Sequence, residues 1–203
     1  MKKYAVLHEP GDIVTLAGIR FVVLDVERRG SLPDSLFLLA LESVGASEFG
    51  SSNNYAESDL KKAVDKWLED MGKRGLDNAK LIPREIDLTT LDGSGCYGKL
   101  SVKAAPLTLD EAREYADIIP NAERWCWLAT GWSGPSKSDG DLALYVYSHG
   151  DWRNGYCSDS YGIRPALKIP SDLLLDSADK PDLSEVPTDT LLEEIRRRVV
   201  DKA

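Results

Sequence analysis

Three short apolar runs, Ile13 to Leu16, Ile19 to Val26 and Leu36 to Leu41, follow one another with turn-sized or loop-sized gaps. Runs of this length, rich in β-branched residues and broken by turn residues, read as strands. Ala17-Gly18 suits a tight turn between the first two, and the stretch from Arg28 to Ser35 reads as the loop before the third. The chain therefore opens as a three-stranded antiparallel sheet. Gly45 to Asn54 is small and polar and reads as loop.

Two helices follow. Ser58 caps the first, and Leu60, Ala63, Val64, Trp67, Leu68 and Met71 repeat at helical spacing as one core-facing stripe. Gly72 and Gly75 end it. Residues 76–106 are mixed: Ala79 to Ile82 and Glu85 to Leu88 suit short strands, and Asp92 to Gly98 reads as a glycine-rich loop. The second helix begins at Thr108, where Glu111 completes a capping box and Leu107 takes the place of a hydrophobic staple. It is expected to run to about Ile118, ahead of Pro120.

The texture changes at Arg124. Trp125, Trp127 and Trp132 crowd together, Leu142 to Tyr147 reads as a strand, and Ser148 to Tyr161 mixes polar and aromatic residues. Gly162 to Ile169 reads as a last strand, with Pro165 suggesting an edge or a bulge. Residues 170–187 read as an acidic, proline-bearing linker, and residues 188–201 as an amphipathic helix whose narrow stripe suits self-association or attachment to an assembly such as a virion.

Composition narrows the function classes. The 203 residues are 42% hydrophobic and 29% charged, which suits one domain with a core, here 1–170, and an appendage, 171–203. The formal net charge of -9 opposes non-specific nucleic-acid binding and anionic membranes. No signal-peptide pattern and no apolar run of spanning length is present. The cysteines Cys96, Cys126 and Cys157 are odd in number and widely spaced, which fits reduced thiols. These features imply cytoplasmic synthesis, which a virion-associated protein would share.

Several segments together resemble bacterial and phage domains with the formylglycine-generating-enzyme type of C-type-lectin fold. They are Ser58-Asp59-Leu60 through Trp67-Leu68, Pro106 to Ala112, Trp125 to Thr130, Val146 to Gly150, and Gly162-Ile163-Arg164-Pro165-Ala166. The resemblance covers roughly residues 10–170, and its most specific piece is the polar hairpin ending in Gly162 to Leu167. Ala129 stands where the pattern has an arginine, so the anchor expected there is absent or relocated. The implied fold is α+β: a small antiparallel sheet, two helices and long irregular hairpins.

Relatives with this fold include the variable proteins of diversity-generating retroelements, often phage receptor binders, whose changing residues lie on the hairpins before the last strand. The resemblance implies a non-enzymatic protein that binds a surface ligand, protein or glycan, without a cofactor. The candidate ligand-binding residues are Trp132, Tyr145, Tyr147, His149, Asp151, Trp152, Arg153, Asn154, Tyr156, Ser158, Asp159 and Tyr161. Tyr and Trp give rigid contact area, and Ser, Asn and Asp give adaptable hydrogen bonds, a mixture that recognition surfaces use.

Plainer roles compete at single positions. Alternation puts Trp125 and Trp127 on one face of a strand, where a core pair is expected, leaving Trp132 as the exposed tryptophan. Arg164 reads as a buried anchor for the hairpins rather than a ligand grip. Ser138, Asp139 and Asp141 could offer oxygens to calcium, but their spacing does not complete a calcium loop, and zinc has no ligand pattern. Two other functions stand beside ligand recognition: a structural assembly subunit held through residues 188–201, and a thiol-dependent oxidase relative using Cys126 and Cys157.

Overall fold

The computed structural model describes residues 3–4, 8–29, 32–147 and 150–175. In chain order the elements are β1 (Lys3–Tyr4), β2 (Ile13–Leu16), β3 (Ile19–Arg29), β4 (Leu32–Ala40), β5 (Ala46–Glu48) and α1 (Asp59–Lys73). Then come β6 (Arg84–Asp87), β7 (Lys99–Val102), β8 (Ala104–Ala105), α2 (Leu109–Glu114) and β9 (Cys126–Gly131). The last five are β10 (Leu142–Val146), β11 (Trp152–Tyr156), β12 (Ser160–Gly162), β13 (Ala166–Pro170) and β14 (Leu174–Leu175). The class is mixed α+β, with small sheets and, among the described residues, two α-helices. The expected appendage, residues 188–201 and most of the linker before it, lies outside the described residues.

One five-stranded antiparallel sheet runs β2-β3-β4-β13-β8. Its opening hairpin turns on Ala17 and Gly18, both with positive φ, 49° and 78°. Such two-residue turns need left-handed backbone to match the twist of the strands. The central strands are apolar without alternation because both faces are covered. Phe21, Val23, Leu36 and Leu38 enter one core cluster together with α1 residues Leu60 and Val64. Val22, Leu24, Phe37 and Leu39 enter a second cluster with α2 residues Leu109 and Ala112.

The last strand departs from expectation. β13 begins at Ala166 and sits inside this sheet, paired with β4 on one side and β8 on the other. Pro165 therefore marks neither an edge nor a bulge. It precedes the ladder, where its missing N–H costs nothing, and its carbonyl accepts a hydrogen bond from Ala40 N at 2.9 Å.

The helices start where their caps dictate. Ser58 accepts from Lys61 N at 2.9 Å. The Thr108–Glu111 capping box is complete, with bonds of 2.8 and 3.2 Å. Glu111 also pairs with buried Arg84, tying α2 to β6. α2 is shorter than expected: after Glu114 the chain continues as turns, with Ile118 N and Ile119 N both bonded to the Tyr115 carbonyl. The proline at 120 disfavours helical backbone just before it. Of the two short strands expected in residues 79–88, the second forms as β6, while Ile82 makes only an isolated bridge to Lys168. No helix among the described residues is long and apolar enough to cross a membrane.

The second five-stranded sheet, β11-β10-β9-β12-β5, carries the candidate site. All of its neighbours are antiparallel except β12 and β9, which run parallel.

Candidate functional site

Strand alternation divides β9, β10 and β11 into two faces. On one, Trp127 and Tyr145 lie with Tyr161 of β12 in the first core cluster. On the other, Leu128 and Leu144 join the second cluster, with Trp132 and Val146 packed against it. The register Tyr145↔Arg153 and Val146↔Trp152 extends the division onto β11. The expected single aromatic surface is thus two surfaces.

The first face is an aromatic stack that begins in the core and ends at the surface. Trp127 is 1% exposed, donates its indole N–H to the Ser47 carbonyl at 2.9 Å, and meets Tyr161 at 4.5 Å between ring centroids. Tyr145, 6% exposed, lies 4.5 Å from Tyr161. Trp125 stacks on Tyr145 at 5.4 Å with only 13° between planes, and lies 4.9 Å from Tyr147. Trp125 is 37% exposed, so one side of the stack reaches solvent. Each such ring pair adds about 1 kcal/mol beyond the area it buries, which makes the platform rigid.

Gly155 permits this stack. A Cβ there would stand 2.8 Å from the Tyr161 ring, so only glycine lets Tyr161 lie across β11. Tyr161 donates its hydroxyl hydrogen to Asp159 Oδ2 at 3.0 Å, and Tyr156 N reaches the same oxygen at 3.2 Å. Burial and the Asp159 carboxylate together raise the Tyr161 pKa well above the usual tyrosine value, so its hydroxyl remains a neutral hydrogen-bond donor.

Outside the stack lies an open groove of about 510 Å³, lined by Trp125, Tyr161, Arg124, Glu123 and Ser160 among others. Arg124, Glu123 and Ser160 are exposed. On the neighbouring strand, exposed Arg153 places its guanidinium 5.7 Å from the Tyr147 ring centroid. The groove thus offers an aromatic floor with both signs of charge at its rim.

The sequence-derived candidates distribute unevenly over this geometry. Arg153, Tyr147, Asp159 and Tyr161 gather around the stack. Tyr145 is buried beneath it and supports rather than contacts. Asp151 and Ser158 are exposed in turns, Asn154 is half-buried, and Tyr156 is 60% exposed on the opposite side of β11 by alternation. Trp152, also 40% exposed, belongs to the second face, where Arg113 of α2 sits 5.4 Å from its ring centroid. His149 lies outside the described residues.

Two expectations about tryptophan are corrected. Trp132 is half-buried against the second core cluster, because it continues the Leu128–Thr130 side of the strand toward α2. Trp125 and Trp127 do share a face, but only Trp127 is core; Trp125 falls just before β9 begins, beyond the sheet that covers its neighbour. Glu123, Arg124 and Ser160 were not singled out by sequence reasoning. Only the neighbourhood of Trp125 could have pointed to the first two.

Other chemistry is sparse. Cys126 and Cys157 are buried free thiols; burial pushes them up to about 11 and about 12, so neither is a ready thiolate at neutral pH. Cys96 is exposed. Among the described residues no group of three or more histidine, cysteine or carboxylate side chains gathers as metal ligands, and Asp139 and Asp141 are exposed. Arg164, 6% exposed, donates from Nε to the Ala40 carbonyl at 3.0 Å and from Nη1 to the Pro120 carbonyl at 3.2 Å, which is the anchoring expected of it. Comparison of the chain with family models, curated proteins and solved structures returned no match.

Proposed function

We propose that this chain is a non-enzymatic recognition protein that binds a surface ligand, a protein or a glycan, in the groove floored by Trp125 and rimmed by Arg124 and Glu123, with Arg153 nearby over the Tyr147 ring. The observation that carries the reading is the exposed Trp125 ring stacked on buried Tyr145. A large aromatic held rigid by the core offers contact area without losing side-chain freedom on binding, and mixed charge at the rim supplies selectivity. The raised thiols of Cys126 and Cys157 favour recognition over thiol chemistry.

The fold we propose for the scaffold is the C-type-lectin-like one that the sequence resembles. The pairing of β1 with β14, the two helices and the long hairpin segments between β9 and β12 support it. On that reading the positions open to diversification are the outward ones, Asp151, Arg153, Tyr156 and Ser158, because none of them belongs to the core clusters.

The test is to screen the full chain on a glycan array and on bacterial cell surfaces, then repeat each positive with Trp125→Ala and Arg153→Ala. Binding that falls at least about tenfold in Trp125→Ala, measured at a temperature where the variant is still folded, is the expected result. Binding that survives both substitutions sinks the proposal.

A further inference from the structure

The second face holds a different kind of site. Between the end of α2 and strands β9 to β11 lies a cavity of about 100 Å³. Its walls are apolar, with Leu107, Ala112, Leu128 and Val146 among them, and the exposed Trp152 and Asn121 mark its opening. One charged side chain, Arg164, shares the lining.

Arg164 is incompletely satisfied. A guanidinium carries five N–H donors. Two are used, Nε on Ala40 and Nη1 on Pro120, and Nη2 is buried with no partner among the described residues. No ion pair joins Arg164 to any described carboxylate. Among the described residues, the groups that act on it electrostatically are the Cys126 thiol and then the Glu42 carboxylate, and Glu42 is exposed and already paired with Arg20. A buried cation with unused donors and no counter-charge is costly, and an entering anion relieves that cost. The Nη1–Pro120 contact is only partly buried, and Pro120 lines the cavity together with Arg164.

We propose that this cavity binds a small carboxylic acid with a short apolar tail, the carboxylate on the guanidinium of Arg164 and the tail against Leu128 and Val146. A carboxylate matches the planar guanidinium in charge and hydrogen-bond geometry. A phosphate dianion would bring more charge and more acceptors than one cation in apolar walls can satisfy. The overall charge of -9 repels anions at long range, so recognition here rests on contact rather than on steering. The site is independent of the groove at Trp125 and stands whether or not that groove binds.

Hexanoate, with hexanol as its uncharged match, is the probe. Titrated into the full chain and followed by NMR, hexanoate is expected to bind saturably and about tenfold tighter than hexanol. Ala116→Phe, at an exposed position of the lining, adds bulk to the cavity without replacing Arg164 or either of the residues whose carbonyls it bonds. It should abolish hexanoate binding and leave the unfolding midpoint in place. Equal binding of hexanol and hexanoate would overturn the proposal, since any apolar cavity gives that result. So would hexanoate binding undiminished in Ala116→Phe, or no saturable binding at all. The comparison of the two probes on the unsubstituted chain decides the matter even if Ala116→Phe fails to fold.

Discussion

Strands β4 and β11 are both members of antiparallel ladders, yet they answer to different constraints. Leu36 through Ala40 of β4 are all buried, 9% exposed or less, because clusters press on both faces of the sheet. In β11 only Gly155 is buried, while Trp152 and Tyr156 stand 40% and 60% exposed. β4 is specified by what surrounds it. β11 is an edge strand of its sheet, and its sequence is free to serve something outside the molecule. Large apolar residues are core in the first strand and stand exposed to solvent in the second.

That contrast can be broken by mutation, and the largest effect is expected on the doubly covered side. Phe21→Ala, at a position 0% exposed beside β4, should cost about 4 kcal/mol in denaturant unfolding. A cost below 1 kcal/mol would mean that the first sheet is not packed on both faces. Alkaline titration is expected to come next. Thiols raised from 9.0 to about 11 at Cys126, and to about 12 at Cys157, leave the folded state holding protons that the unfolded state releases. Their contribution is therefore whole below pH 9 and lost as pH rises toward 11 and 12, about 3 kcal/mol of it from Cys126. Stability that is flat through this window, in a Cys126→Ser control as well as in the parent, would contradict the burial of these thiols.

The remaining two predictions sharpen the comparison within β11. Gly155→Ala should cost about 2 kcal/mol, because the new Cβ would collide with Tyr161 and unseat the stack. The same variant should shift the near-ultraviolet circular dichroism of the tryptophans. Tyr156→Ala, one residue further on, should change stability by less than about 0.5 kcal/mol. If the two cost the same, β11 is not divided between a supporting and a recognising role.

The sequence was most readable where local chemistry decides structure. The Ser58 cap and the Thr108–Glu111 box placed both helix starts, and Ala17-Gly18 placed the first hairpin. What could not be read was coverage. Alternation puts Trp125 and Trp127 on one side, but whether a neighbour covers each ring depends on β12 and β5, which arrive from distant parts of the chain. The placement of β13 between β4 and β8 is a long-range pairing of the same kind, invisible in the residues around Pro165. The cavity at Arg164 was hidden for this reason too: its walls come from α2, β9 and β10, and only the buried arginine was visible beforehand.

The pairing of β1 with β14 has a mechanical consequence. Lys3 faces Leu175 and Tyr4 faces Leu174, so the two strands enter and leave at the same end of a two-residue ladder. Tension applied through the flanking chain loads these pairs one after the other, as a zipper opens, rather than all together in shear. The ladder would part at low force, and the slack released would spare both five-stranded sheets from the first pull.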